Sequence, residues 1–461
     1  MIFFLLALDF GGGIETSMAV ENRGSWSVPF AYFYNEFRVW GWGGFAKFGF
    51  WSSGYARIME GHYERFFRNS KVLAFYSQNR FWFQQPVLQV SQPDWGDAWA
   101  FRAYGVKLEG WSNRPVRGLS GFVIASRLTD GPFIGFLGFR LWPFGDVFAI
   151  ETTAGGKSWG DGYNGFLHLY SRFKGFNAFL IEGQFASSAT RDSLEENSYG
   201  GYLASAHFIS WKPWFLKVYL QGYIVSPDFR SYLSNDLSYL WNGWWGANRK
   251  GYYGEITFRM PKKWMDFTLK HQRIFPFEDP KILFSDPAKA YDYRGTTFWN
   301  DYVWNYAEFF AMLKMGFGMK FFGEYGSKKT LSYPLWKEGY EKWASFGGWL
   351  WVENRLGKAS IGYKRTLWDA GYRNSLAWEL ILPFSRVLKA YLRASLVEDH
   401  YGARMSPFVQ IRYLLPDDRG EINLEYGEGW YSDSLLDDGD LISDTGYVPY
   451  PRFYLRVWIS Y

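Results

Sequence analysis

Residues 452–461 read Arg452-Phe453-Tyr454-Leu455-Arg456-Val457-Trp458-Ile459-Ser460-Tyr461. Phe453, Leu455, Val457, Ile459 and Tyr461 hold one parity, and Arg452, Tyr454, Arg456, Trp458 and Ser460 hold the other. A strand sends successive side chains to opposite faces, so this stretch has one apolar face and one face of cations, hydroxyls and rings. An apolar face in water needs a covering layer, whereas in a bilayer it needs none. The remaining sequence decides between those settings.

The period of two recurs along the chain. Leu8, Phe10, Gly12, Ile14, Thr16, Met18 and Val20 alternate with Asp9, Gly11, Gly13, Glu15, Ser17, Ala19 and Glu21. Ile256, Phe258 and Met260 oppose Glu255, Thr257 and Arg259, and Met265, Phe267 and Leu269 oppose Asp266, Thr268 and Lys270. Farther on, Leu388, Ala390, Leu392, Ala394 and Leu396 alternate with Lys389, Tyr391, Arg393 and Ser395. Ile422 and Leu424 likewise oppose Glu421, Asn423 and Glu425. A soluble sandwich also alternates, so further observations are needed.

Composition supplies one. Of 461 residues, 23% are aromatic, with 26 Trp, 34 Tyr and 44 Phe, so rings provide much of the apolar surface. Aromatics suit strands and membrane interfaces. No run of roughly 18 apolar residues exists to form a helical span. Cysteine is absent, which excludes disulfides, thiolate metal sites and cysteine nucleophiles. The net charge of +5 is spread along the chain, and no basic patch suggests a nucleic-acid partner.

Connections supply another. Short links at 142–146, 171–175, 211–214, 261–263, 354–358, 383–386 and 416–420 carry Pro, Gly, Asn, Asp or basic residues suited to tight reversals. Long polar or aromatic links fall at about 226–251, 276–300, 327–342 and 430–451. Short turns on one rim and long loops on the other, joined by strands of roughly 9–13 residues, describe a transmembrane barrel. Trp142, Trp211, Trp214 and Trp264 beside the short turns fit an interfacial aromatic belt.

With that context, residues 452–461 resemble the C-terminal strand of bacterial outer-membrane β-barrel proteins, of porin-like type. The resemblance implies that Phe453, Leu455, Val457, Ile459 and Tyr461 form a signal read by the barrel-assembly machinery, and that the protein sits in the outer membrane as a multi-pass chain. The expected fold is all-β, an antiparallel up-and-down transmembrane barrel of about 20 strands, within 18–22, without a plug domain. Residues 8–461 form the barrel in this reading, with 1–7 as the remnant of a signal peptide. Residues 28–84 alternate imperfectly and leave the count open.

One face of such a barrel lines its lumen. Pore-lining candidates are Lys217, Glu255, Arg259, Asp266, Lys270, Glu379, Lys389, Arg393, Arg412, Glu421, Glu425 and Arg456. Most such charges would simply form ion pairs along a wet wall. Tyr219, Tyr223, Tyr253, Tyr391, Tyr454 and Trp458, with Trp349 and Trp351 also inward, are candidates for stacking on sugar rings. The expected function is passive diffusion of small hydrophilic solutes, sugars being one candidate class. A non-conducting scaffold, receptor or adhesin is the alternative. Outer-membrane lipid is a further expected partner, and association into homotrimers is left open.

No cofactor, metal site or catalytic residue is assigned. Glu398-Asp399-His400 could supply a general base in a hydrolase, but an exposed polar loop explains it more simply. The acidic stretch 433–444 lacks the ligand spacing of a calcium loop. Gly11-Gly12-Gly13 precedes no helix and forms no phosphate cradle.

Overall fold

The computed structural model describes residues 9–22, 25–41, 44–51, 54, 56–76, 103–112, 119–128, 133–142, 144, 147–159, 162–175, 178–191, 198–210, 215–227, 229, 248–260, 264–283, 297–313, 316–332, 335–399, 402–427 and 452–460. Its strands are β1 (Asp9–Asn22), β2 (Trp26–Gly41), β3 (Gly44–Trp51), β4 (Ala56–Phe66), β5 (Ser70–Tyr76), β6 (Ala103–Ser112), β7 (Leu119–Leu128) and β8 (Phe133–Leu141). Next come β9 (Phe148–Trp159), β10 (Gly162–Gly175), β11 (Phe179–Arg191), β12 (Ser198–Ser210), β13 (Leu216–Val225), β14 (Arg249–Arg259), β15 (Met265–Pro276) and β16 (Thr297–Met312). The last are β17 (Phe317–Ser332), β18 (Lys337–Asn354), β19 (Gly357–Trp368), β20 (Gly371–Pro383), β21 (Leu388–Asp399), β22 (Gly402–Leu414), β23 (Gly420–Gly427) and β24 (Arg452–Ser460). One helical turn, α1 (Pro280–Leu283), follows β15.

All 24 strands among the described residues belong to one sheet, each antiparallel to its sequence neighbours, and β24 pairs back onto β1 from Gly13↔Ser460 to Glu21↔Arg452. This closure removes both edges of the sheet, as a medium without water requires. The outward parity is apolar and uncovered: Trp378, Leu396, Ile411, Leu424, Phe453 and Ile459 are all exposed. Trp264 and Phe384 project beside short reversals on one rim, where an interfacial belt belongs. The other parity carries the buried polar groups, including Glu151, His168, Gln184, Glu379, Gln410 and Glu425. That polar parity runs unbroken through the pairings around the barrel and is the lumen wall.

The described residues hold 24 strands in place of the expected 20, beyond the 18–22 range. The discrepancy lies in residues 26–76, where four strands stand in place of imperfect alternation. Phe33 and Phe50 point outward while Tyr34 and Trp51 point inward, so rings occupy both faces there. The β3–β4 pairing passes from Lys47↔Glu60 to Phe48↔Ile58, and the extra residue this leaves on β4 reverses the parity that a period-two reading follows there.

The plug-free lumen is corrected with the count. Barrels of 16–18 strands leave an aqueous channel, but those of about 22 have a plugged lumen, and this sheet is larger still. One predicted loop is also corrected, since most of 327–342 is strand, with β17 and β18 running to Ser332 and from Lys337. The acidic stretch 433–444, His400 and residues 1–7 lie outside the described residues.

Candidate functional site

On β16, the lumen parity presents Trp304, Tyr306, Glu308 and Phe310, which lie opposite Gly326, Glu324, Phe322 and Lys320 of β17. Lys320, Phe322 and Glu324 in turn face Trp349, Gly347 and Ser345 of β18. Alternation therefore gathers rings from three neighbouring strands into a continuous track on the lumen wall. Trp304 stacks on Tyr306 at 5.7 Å between centroids, and Tyr306 stacks on Phe322 at 6.3 Å. Phe322 meets the edge of Trp349 at 5.9 Å, and Phe310 contacts Trp351 at 5.8 Å. Trp349 and Trp351 are buried beneath Phe310, Met312 and Phe322, while Trp304, Tyr306, Phe310 and Phe322 remain half-exposed to the lumen.

Two small residues make room for the indoles. A Cβ on Gly318 would fall inside the Trp351 ring, and one on Gly326 inside Trp343. Each indole lies flat over its cross-strand partner, so only glycine fits there.

Charges are interleaved with the rings. Lys270 sits 5.2 Å from the Tyr306 centroid, Lys320 5.1 Å from that of Trp349, and Lys358 5.5 Å from that of Trp351. Glu308 accepts the Tyr306 hydroxyl and pairs with Lys320 at 3.0 Å. The Trp304 indole N–H donates to Glu324 at 3.2 Å. The wall thus offers flat apolar faces bordered by carboxylates and ammonium groups. Planar or pyranose rings carrying hydroxyls are complementary to such a surface.

All of the described pore-lining candidates fall on the lumen parity. Lys217 reaches Glu255 at 3.6 Å, Glu255 lies directly opposite Lys270, and Arg259 pairs with Asp266 at 3.1 Å. A second group forms across β20–β24. Glu379 lies opposite Arg393 and accepts the Tyr391 hydroxyl, while Arg393 covers Phe408 at 5.3 Å. Gln410 and Asn423 donate to Glu425 at 2.7 and 3.0 Å. Lys389 lies opposite Arg412, whose charge is drawn to Glu421 at 2.7 Å. Arg456 closes the set by reaching Glu15 on β1 at 3.1 Å.

The aromatic candidates divide by accessibility. Tyr219 and Tyr253 meet edge to face at 5.6 Å, and Tyr253 donates to Glu255 at 2.9 Å. Tyr223, Tyr391 and Tyr454 are buried, so their faces are already occupied by the wall. Trp458 lies beside Gly13 of β1. Trp304, Tyr306, Phe310 and Phe322 were absent from the sequence-based set. Their signal was available in their parity, which they share with Glu308, Lys320 and Glu324.

Of Glu398-Asp399-His400, the two described residues belong to strand β21 and point to opposite faces. Glu398 lies on the outer face, where it accepts the Asn374 amide at 2.9 Å, whereas Asp399 is buried on the opposite parity with Arg373 at 4.0 Å. Phe453, Leu455, Val457 and Ile459 all face outward, with Phe453 against Tyr426 at 4.6 Å; Tyr461 lies outside the described residues.

A closed antiparallel sheet with an apolar exterior and a charged lumen defines a β-barrel of the bacterial outer-membrane class. No protein-family description matches the chain, and no curated protein matches its sequence. Solved structures match its fold. The P pilus usher PapC translocation pore aligns with a TM-score of 0.54 at 8% identity, over 98% of this chain and 99% of that one. PapC-containing E. coli P pilus tip assembly intermediate gives a TM-score of 0.55 at 8% identity, with 98% of this chain and 60% of that one covered. The siderophore receptor PirA from Pseudomonas aeruginosa gives a TM-score of 0.50 at 9% identity, over 98% and 80% of the two chains. The fold is thus that of bacterial outer-membrane β-barrel proteins.

Proposed function

We propose that this chain is an outer-membrane translocation barrel that passes small hydrophilic solutes and retains ring-bearing ones, sugars foremost, along the β16–β18 aromatic track. The observation that carries this reading is the run of partly exposed rings from Trp304 through Tyr306 to Phe322, with centroid steps of 5.7 and 6.3 Å, braced from beneath by buried Trp349. A chain of contacts at that spacing lets a sugar exchange one ring for the next without fully rehydrating. Lys270, Lys320, Glu308 and Glu324 beside it can exchange hydrogen bonds with hydroxyls as the solute advances.

Planar-bilayer recording tests the reading. Folded protein is expected to give stepwise openings, and a linear maltodextrin is expected to interrupt them transiently. Openings that maltodextrin leaves unaltered reject the sugar preference.

A second reading is supported by the likeness of the fold to a siderophore receptor and to a pilus usher. It makes the barrel a receptor or scaffold that conducts only when a partner engages it. Folded protein that shows no openings at any applied voltage favours this alternative.

A further inference from the structure

The outer wall of β14–β18 contains a groove of about 730 Å³ on the lipid-facing parity. Gly254, Ala307, Gly323 and Ala344 form its floor, and the exposed side chains of Leu269 and Phe346 border it. The glycines there are not imposed by packing. A Cβ on Gly323 would meet nothing nearer than the Ser345 carbonyl at 4.0 Å, and one on Gly254 only Leu220 at 3.6 Å. The outer surface of the barrel has therefore been left hollow at this place.

Toward the long-loop rim, the chemistry changes in a fixed order. Leu269, Ala307, Gly323 and Phe346 form the lower row of the groove, and His271 on β15, Asn305 on β16 and Tyr325 on β17 stand in the next row, between Gly254 and Ala344. His271 Nδ1 bonds the Asn305 side-chain oxygen at 2.8 Å, and its Nε2 lies 3.4 Å from the Tyr252 hydroxyl. The other amide atom of Asn305 has no protein partner among the described residues, although it faces the lipid side. Higher still, Lys329 and Lys342 flank Tyr340, at 6.0 and 4.8 Å from its ring.

The acids nearby have their own partners. Asp301 is held by Arg273 at 3.3 Å, Glu338 on the same face reaches Lys281 at 3.8 Å, Asp369 accepts the Lys342 backbone N–H at 2.9 Å and also attracts the Lys342 ammonium, and Glu341 pairs with Lys328 on the lumen parity. Neither Lys329 nor Lys342 has a carboxylate within ion-pair distance among the described residues.

We propose that this wall holds a phosphorylated, multiply acylated lipid of the outer leaflet. An acyl chain lies in the Gly254–Ala344 groove, a linkage carbonyl or hydroxyl bonds Asn305, and a phosphate sits on Lys329 and Lys342. From the Ala307–Gly323 row, through the Asn305 row, to Lys342 and Lys329, apolar wall, neutral polar groups and ammonium groups follow the order of tail, linkage and phosphate along such a molecule. A second protein copy would satisfy the groove but has no need of two ammonium groups above it.

Native mass spectrometry of the detergent-folded barrel tests the assignment, with a bis-phosphorylated hexa-acyl glucosamine lipid as the probe. Parallel additions are the same lipid after phosphatase treatment, a zwitterionic phospholipid and inorganic phosphate. The intact probe is expected to bind about tenfold more tightly than the dephosphorylated one, and Lys329→Glu with Lys342→Glu should remove that advantage. Filling the groove with Gly323→Trp should weaken the intact and dephosphorylated lipids alike. If that variant does not give the heat-resistant folded gel band, Gly254→Leu serves the same purpose. Equal binding of both lipids, an undiminished signal from the double variant, or competition by inorganic phosphate alone overturns the proposal. Because the chain contains no cysteine, a disulfide dimer formed by Ala344→Cys would report a protein neighbour on this face, and it too would overturn it.

Discussion

The Arg456 guanidinium donates to the Glu15 carboxylate at 3.1 Å, a contact between residues 441 positions apart that crosses the seam between β24 and β1. The paired backbones close the barrel, while this ion pair adds a register mark on the lumen side. Slippage by one residue would turn Arg456 to the lipid face, which is costly for a charge.

Reversing one partner should therefore weaken closure. Arg456→Glu places two carboxylates together at the seam, and a loss of about 1.5 kcal/mol is expected on the scale of a charged hydrogen bond. Adding Glu15→Arg to the same chain should restore much of it. Urea unfolding of the protein in lipid vesicles measures both, and a double variant no more stable than the single one would deny the pair a role in the seam.

The indole of Trp351 needs the bare backbone of Gly318 beneath it. Gly318→Val should lift the indole from the wall, break its contact with Phe310 and cost about 2 kcal/mol through overpacking. Near-ultraviolet circular dichroism should lose intensity alongside the fall in stability. An unchanged spectrum would mean that the ring does not lie where it is described.

Within the track, Phe322 is the link between Tyr306 and Trp349. Phe322→Ala should shorten maltodextrin dwell times by about tenfold, corresponding to ~1.4 kcal/mol, with ion conductance kept or slightly raised. Single-channel noise analysis separates the two quantities. Equal losses of dwell time and conductance would point to general damage to the lumen instead.

The Glu379–Tyr391 bond distinguishes polarity from charge. Glu379→Gln keeps an acceptor for the buried Tyr391 hydroxyl and should fold nearly as well, whereas Glu379→Ala leaves that hydroxyl without it and should cost about 1–3 kcal/mol. Thermal shifts of the folded gel band compare them. If the two variants are equally unstable, the carboxylate charge opposite Arg393 is the more important feature.

The sequence made the fold class and the lumen parity legible because one physical constraint writes both. Every wall residue faces either hydrocarbon or a polar interior, so Glu255, Lys270, Glu379 and Arg456 could be assigned to the lumen from alternation alone. The same rule failed between Trp26 and Tyr76, where rings on both faces and the β4 bulge opposite Lys47 and Phe48 obscure the period. The aromatic track was hidden for another reason. Contacts such as Tyr306 with Phe322 depend on cross-strand register, and a single strand's alternation carries no register information.

The β1–β24 seam also has a meaning in time. The strand made first must wait for the strand made last, and until they meet the sheet has two open edges that any neighbouring chain could occupy. Among the described strands, every pairing from β2 to β23 joins sequence neighbours, whereas the partners at the seam are separated by nearly the whole length of the barrel. Synthesis of residues 452–460 is therefore the moment at which this sheet can first become a closed object, and the interval before it is when the chain most needs protection from its neighbours.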